Sequence, residues 1–287
     1  MLPHHNQQAA RGVVSRIGAE GQRAIEVQVD VGNEDQVNSL FDKALAQFGT
    51  VDILVNNAGT NGAKRQVVDM TTEEFERTLR SDLYGPFFAC RRFAKHRIEQ
   101  GGKGKIINIT SIHEEVMFTD AADYNVAKGG LRNLTRTLAL ELGPHLINVN
   151  NIGPGMIVTP MNKDLMNNPE AQKDKGKAVP LQRPGYPEEI AGLALFLASS
   201  AADYITGSTY FIDGGLMLKM AREVLDQAAG TEISVFLQIE AYEQHRHEGK
   251  AESPGQTAGR RERDEAPAGI YKERLQGRGQ TEWKSWR

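Results

Sequence analysis

Apolar runs and helically spaced apolar positions alternate along the chain from about Arg23 to Leu216. Arg23–Val29 alternates apolar and polar side chains, which predicts a strand, and Val37, Leu40, Phe41, Ala44, Leu45 and Phe48 then recur at helical spacing. The run VDILV (51–55) is continuously apolar, as expected of a strand buried on both faces. Thr72 to about Gln100 predicts one or two helices, opened by the capping pattern Thr71-Thr72-Glu73-Glu74. KIINIT (105–110) predicts a strand, Asp123–Leu142 a long helix, and LINVNNI (146–152) a strand closed by Gly153-Pro154-Gly155. A polar segment, 160–186, reads as a loop before a helix at Pro187–Ser199 and a last strand at STYFID (208–213). This alternation predicts an α/β fold with a doubly wound, mostly parallel sheet. Ligands of such sheets bind beyond the carboxyl ends of the strands, so candidate chemistry is sought just after each apolar run.

Composition divides the chain unevenly. Residues 246–287 hold ten Lys or Arg, seven Asp or Glu, six Gly and two Pro, too little apolar matter for a core, and read as a disordered polar tail. Residues 1–220 form the expected domain, with 221–245 a helical or irregular extension between the two. The chain of 287 residues has net charge -3, but 1–245 alone carries 24 basic and 30 acidic residues. An acidic body argues against nucleic-acid binding. The longest apolar stretch, Ala191–Ala198, is too short to span a membrane, and a single cysteine, Cys90, gives no intrachain disulfide framework. A cytoplasmic protein is therefore expected. No His, Cys, Asp and Glu cluster has metal-ligand spacing, so no metal is expected.

The turns after the apolar runs carry the chemistry. Asn56-Asn57-Ala58-Gly59 follows VDILV, Ser111-Ile112-His113-Glu114 follows KIINIT, and Tyr124-x-x-x-Lys128 opens the long helix. Residues four apart share a helix face, so the Lys128 ammonium can sit beside the Tyr124 ring. A phenol is a poor proton acceptor at neutral pH, and a neighbouring cation favours its ionised form. Tyr-x-x-x-Lys alone also occurs as a surface helix pair, and a serine closing a strand is also a turn former.

Taken together and in this order, the elements resemble the short-chain dehydrogenase/reductase family. Its pattern is an Asn-Asn-Ala-Gly turn, a strand-end serine, Tyr-x-x-x-Lys, and Pro-Gly followed by threonine, matched here by Asn56–Gly59, Ser111, Tyr124 with Lys128, and Pro154-Gly155 with Thr159. The resemblance runs from about Gln7 to Leu216. NITSIHE, AKGG, NNIGPGMIVTPMN, PEEIAGLALFLASS and YITGSTYFIDGG are most similar to the family's glucose 1-dehydrogenases. It implies a Rossmann-like fold and hydride transfer between NAD or NADP and a secondary alcohol or ketone, such as a sugar. Tyr124 is implied as the acid/base, Ser111 as the hydrogen-bond donor to the substrate oxygen, and Lys128 as the ribose-binding cation. Asp30 and Val31 match adenine-contacting positions; Asn57, Ala58 and Gly59 match backbone close to the cofactor. Pro154 and Gly155 match the Pro-Gly cofactor turn, and Ile157 and Thr159 match positions for the carboxamide and pyrophosphate. His113 is placed near the substrate, although His113 and Glu114 read equally as a surface pair. Homo-oligomers, dimers or tetramers, are implied through the helices at 82–100 and 124–142.

Two departures qualify the resemblance. Asp82 stands where the family usually has the asparagine of its catalytic set, and an ionised aspartate only accepts hydrogen bonds. The family's first strand, its Gly-x-x-x-Gly-x-Gly turn and its second strand have no match, since the helix that follows them in the family starts here near Asn6. That turn is where pyrophosphate meets backbone amides. The sheet is thus expected to lack the first two strands and to leave Val51–Val55 as an exposed apolar edge. An alternative reading is a non-catalytic interaction or oligomerisation module.

Overall fold

The computed structural model describes residues 7–220; the extension expected at 221–245 and the tail expected at 246–287 lie outside the described residues. Four parallel strands form one sheet in the order β1-β2-β3-β4. They are β1 (Ile53–Asn56), β2 (Gly104–Ile109), β3 (Ile147–Pro154) and β4 (Thr209–Ile212), close to the segments expected. Helices α1 (Gln7–Ala19), α2 (Glu34–Phe48), α3 (Thr72–Leu79), α4 (Gly85–Glu99), α5 (Ala122–Leu142), α6 (Pro169–Gly176) and α7 (Pro187–Ala198) connect and cover them. Among the described residues no helix is long and apolar enough to cross a membrane.

The apolar run of β2 is buried along nearly its whole length because helices cover both faces. Ile106 packs on one side with Val37 and Phe41 of α2 and Cys90 and Phe93 of α4. Its neighbour Ile107 points the other way, to Ile152 and to Leu197 of α7. On α5, Asp123, Ala127, Leu131, Thr135 and Ala139 are buried at intervals of four, one stripe against the interior.

One level of the sheet is polar throughout. Asn56, Asn108, Asn151 and Thr209 are register partners on the four strands. Asn56 Nδ2 donates to Asn108 Oδ1 at 2.8 Å, and Asn108 Nδ2 donates to Thr135 Oγ1 at 2.8 Å. Thr135 in turn donates to Asn151 Oδ1 at 2.5 Å, and Asn151 Nδ2 to Thr209 Oγ1 at 3.1 Å. A one-residue slip would strand these buried amides in apolar surroundings, so the row pins the register just below the strand ends.

Two expectations are corrected, and a third region gains detail. Arg23–Val29 is no strand: residues 22–30 have no regular secondary structure and join no ladder, and a strand is made by its pairing. Side chains hold the segment instead, with Arg23 Nη2 donating to the Gln47 carbonyl at 2.6 Å and Arg11 of α1 pairing with Glu26. The polar segment 160–186 is not all loop, since Asn168 caps α6 by accepting from Ala171 N at 3.0 Å. The sequence PEAQKDKG has no apolar stripe to announce that helix. The Thr72–Gln100 region is broken by one π-helical turn at Arg80–Tyr84, which buries Ser81 and Asp82. Its expected start holds: Thr71 and Glu74 form a reciprocal capping box.

The expected apolar edge is present. β1 lies at the border of the sheet, and Ile53 and Val55 are each 46% exposed, while Leu54 on the opposite face packs into the core.

Candidate active site

The carboxyl ends of β1, β2 and β3 open into a cleft of about 1070 Å³. Asn57, Ala58 and Gly59 line it from the turn after β1, Ser111 and His113 from the turn after β2, and Pro154, Gly155, Ile157 and Thr159 from β3 and beyond. Tyr124 and Lys128 enter from the first turns of α5, one step round the helix from its buried stripe. Asp82 enters from the π-helical turn. Asp30 and Val31 are not among the lining residues. Asp30 Oδ1 accepts from Gly32 N at 2.9 Å, in the turn that leads into α2.

The polar groups are strongly oriented. Ser111 caps a short helical turn, Ile112–Glu114, and its Oγ accepts from His113 N at 3.2 Å, which leaves the hydroxyl proton for another acceptor. Lys128 Nζ donates to the Ile109 carbonyl at 3.2 Å, lies 3.2 Å from Asp82 Oδ2, and sits 5.4 Å from the centre of the Tyr124 ring. Both partners of that ion pair are buried. Asp82 Oδ1 also accepts from Ser81 Oγ at 2.5 Å and Thr60 N at 2.9 Å, so the carboxylate is held by two donors and a cation. A Cβ on Gly59 would lie 2.8 Å from Asp82 Oδ2, so only glycine permits this approach.

His113 faces Tyr124 edge to face, with ring centres 5.9 Å apart, and packs on Phe118 at 4.4 Å. Its Nδ1 is 2.9 Å from the Val116 carbonyl, which can only accept, so the neutral ring carries its proton there and presents Nε2 as an acceptor. Burial pushes the imidazole below its ordinary value, against a smaller opposing effect of the Val116 bond. Glu114 turns away from the cleft and is buried beside Arg132, with Nε to Oε1 at 3.6 Å. Burial pushes its carboxyl upward, and Thr110, Thr209 and Arg132 offset this only in part. The surface-pair reading of His113 and Glu114 is therefore wrong: both are drawn inward by the turn that Ser111 caps.

The cleft also includes residues for which the sequence predicts no role in the site. Thr60, Asn61 and Lys64 extend its wall beyond Gly59, and Ile190, Ala191 and Ala194 supply an apolar patch from α7. Asn61 Nδ2 donates across to the Met161 carbonyl at 2.8 Å, joining the segment after β1 to that after β3. The near-uniform apolarity of IAGLALFLA does not tell which face meets the cleft, since Leu195 of the same helix is left exposed.

Comparison with known proteins gives the chain's family. Residues 2–217 match the family model described as Enoyl-(Acyl carrier protein) reductase. The chain is 40% identical over 213 residues to 3beta-hydroxysteroid dehydrogenase 1 of Eggerthella lenta, covering 74% of this chain and 81% of that protein. It is 35% identical over 215 residues to Glucose 1-dehydrogenase 2 of Bacillus subtilis, covering 75% of this chain and 83% of that protein. Among solved structures, a gluconate 5-dehydrogenase from Burkholderia cenocepacia in complex with NADP and tartrate superposes with a TM-score of 0.67 at 33% identity, over 74% of this chain and 82% of that one.

Proposed function

Because the chain belongs to the short-chain dehydrogenase/reductase family and is an NAD(P)-dependent oxidoreductase, we propose that it interconverts a secondary alcohol and its ketone, a sugar among the candidate substrates, at the cleft beyond β1–β3. The observation that supports this best is the gathering of Ser111, Tyr124 and Lys128 in one cleft beside the glycine-tight turn Asn57–Gly59. Sugar and steroid dehydrogenases both stand among the relatives, so the names favour the reaction over any one substrate.

The donor set suits the nicotinamide half of a dinucleotide. Lys128 has one ammonium proton beyond its contacts with Ile109 and Asp82, suited to ribose hydroxyls. Asn57–Gly59, Ile157 and Thr159 would hold the rest of that half. The bound nicotinamide supplies the hydride acceptor or donor. Tyr124 removes the proton of the alcohol oxygen, or returns one to the ketone oxygen. Ser111, its Oγ already oriented by His113 N, donates its remaining proton to the same oxygen and fixes its position. Lys128 sets a positive charge beside the Tyr124 ring, 5.4 Å from its centre, as the proton moves. Asp82 holds Lys128 in place. His113 Nε2 accepts from a substrate hydroxyl, which suits a polyol.

Assembly into a dimer or tetramer through α4 and α5 belongs to the same reading, supported by the exposed Phe87, Val126 and Leu140. So does a reducing, cytoplasmic setting, in which the buried Cys90 thiol, pushed up to about 12 chiefly by burial, stays unreactive.

The test is fluorescence titration of the full chain with NADH and with NADPH, followed by turnover on a panel of sugars and secondary alcohols. Saturable binding of one dinucleotide and loss of turnover in Tyr124→Phe with binding intact are expected. No saturable binding of either would sink the reading, and undiminished turnover in Tyr124→Phe would remove Tyr124 from it.

A further inference from the structure

Asp123 precedes Tyr124 and is fully buried, yet the chemistry proposed above leaves it unused. Its Oδ1 accepts from Tyr124 N at 2.9 Å. Its Oδ2 accepts from the Thr78 hydroxyl of α3 at 2.7 Å and from Ala63 N at 2.8 Å. All three donors are uncharged, and both carboxyl oxygens are hydrogen-bonded, as burial of a polar group requires. The positive end of α5 helps: the residue that begins the helix, Ala121, offers no side-chain cap, and Asp123 lies in the first turn.

Asp82 makes a parallel contact with the same segment. It accepts from Thr60 N at 2.9 Å while its other oxygen faces Lys128. A glycine backs onto each carboxylate: a Cβ on Gly62, whose φ is +70, would lie 2.8 Å from Asp123 Oδ1, as one on Gly59 would from Asp82 Oδ2. Two carboxylates therefore grip the segment 59–63, one next to Lys128 and one next to Tyr124.

We propose that Asp123 is a positioning residue that locks segment 59–63 to the first turn of α5 and so sets the Tyr124 phenol against the Asn57–Gly59 wall of the cleft. The role rests on Tyr124 as the proton-transfer group, and the experiment separates the two. Asp123→Ala removes both oxygens, so Tyr124 N–H, Ala63 N–H and the Thr78 hydroxyl all lose their acceptor.

In the full-length chain, hydrogen exchange at the Ala63 amide should rise on the order of tenfold with the β2 and β3 amides unchanged. Turnover should fall on the order of tenfold with the dinucleotide KM within about twofold, the signature of misplacement rather than lost binding. Gly62→Ala disrupts the same contact from the other side. It should match that pattern, and the double variant should fall little further than the worse single one. Asp52→Asn serves as the control, because it takes the charge out of a distant ion pair with Arg97 Nη1 at 2.6 Å and should lower Tm without changing kcat. Unchanged Ala63 exchange in both clamp variants overturns the lock. Raised exchange with wild-type kcat, or a kcat loss that Asp52→Asn reproduces at equal Tm loss, overturns the positioning role. A wild-type chain without turnover sinks the functional reading, and exchange at Ala63 still decides the lock.

Discussion

Replacing Lys128 by methionine should destabilise the protein strongly, through the partner it leaves behind. The Lys128 side chain is 6% exposed and that of Asp82 0%, so removing the ammonium strands a carboxylate without water. Breaking a buried pair by removing one partner costs roughly 3–5 kcal/mol. Asp82 keeps two donors, Ser81 Oγ and Thr60 N, which places this case at the lower end, about 3 kcal/mol. For a domain of this size that corresponds to a Tm lower by roughly 6–12 °C. Asp82→Asn leaves the ammonium its Ile109 carbonyl and should cost about 1–2 kcal/mol. The double variant removes both charges and should be more stable than the sum of the single losses by about 2 kcal/mol. Urea unfolding at neutral pH, followed by circular dichroism, gives the four free energies of the cycle. A Lys128→Met loss below about 1 kcal/mol, or additivity within about 0.5 kcal/mol, would refute the argument, because either result means that the carboxylate finds water or another partner.

The raised Glu114 carboxyl makes stability depend on pH in a defined direction. The folded protein favours its protonated form, so this group's contribution is fully present below the ordinary value of 4.5 and is lost as pH rises through the raised folded value. Glu114→Gln should therefore gain Tm relative to wild type on going from acid to neutral pH, and a relative loss over that range would contradict the assignment. At the sheet border, Ile53→Lys places a charge on an exposed apolar position of β1. Sedimentation velocity should show less heterogeneous aggregate than wild type with any discrete oligomer retained; a wild-type chain free of such aggregate would show that the edge is not adhesive.

The strands and long helices were legible because their signals are local. Continuous apolar runs mark buried parallel strands, and the recurrence of Val37, Leu40, Phe41 and Leu45 marks a helix face. Arg23–Val29 misled for the same reason, since alternation describes a strand's faces but says nothing about whether a neighbour is there to pair with it. α6 was invisible because its eight residues are polar all round. In the site, Ser111, Tyr124 and Lys128 stood out through spacing and order. Asp123 did not, because a lone acid at a helix start looks like an ordinary first-turn residue.

By itself the sequence determined the α/β architecture, the residues placed at the strand ends, and the family to which the chain belongs. These follow from periodicities and spacings that a few neighbouring residues carry. Only the tertiary structure decided that Asp82 meets Lys128 directly, that Glu114 turns inward while His113 faces Tyr124, and that Asp82 and Asp123 hold one segment between them. Such contacts join residues from about 10 to 60 positions apart, and which donors a buried carboxylate finds depends on how helices and turns pack around it. The local pattern contains no term for that.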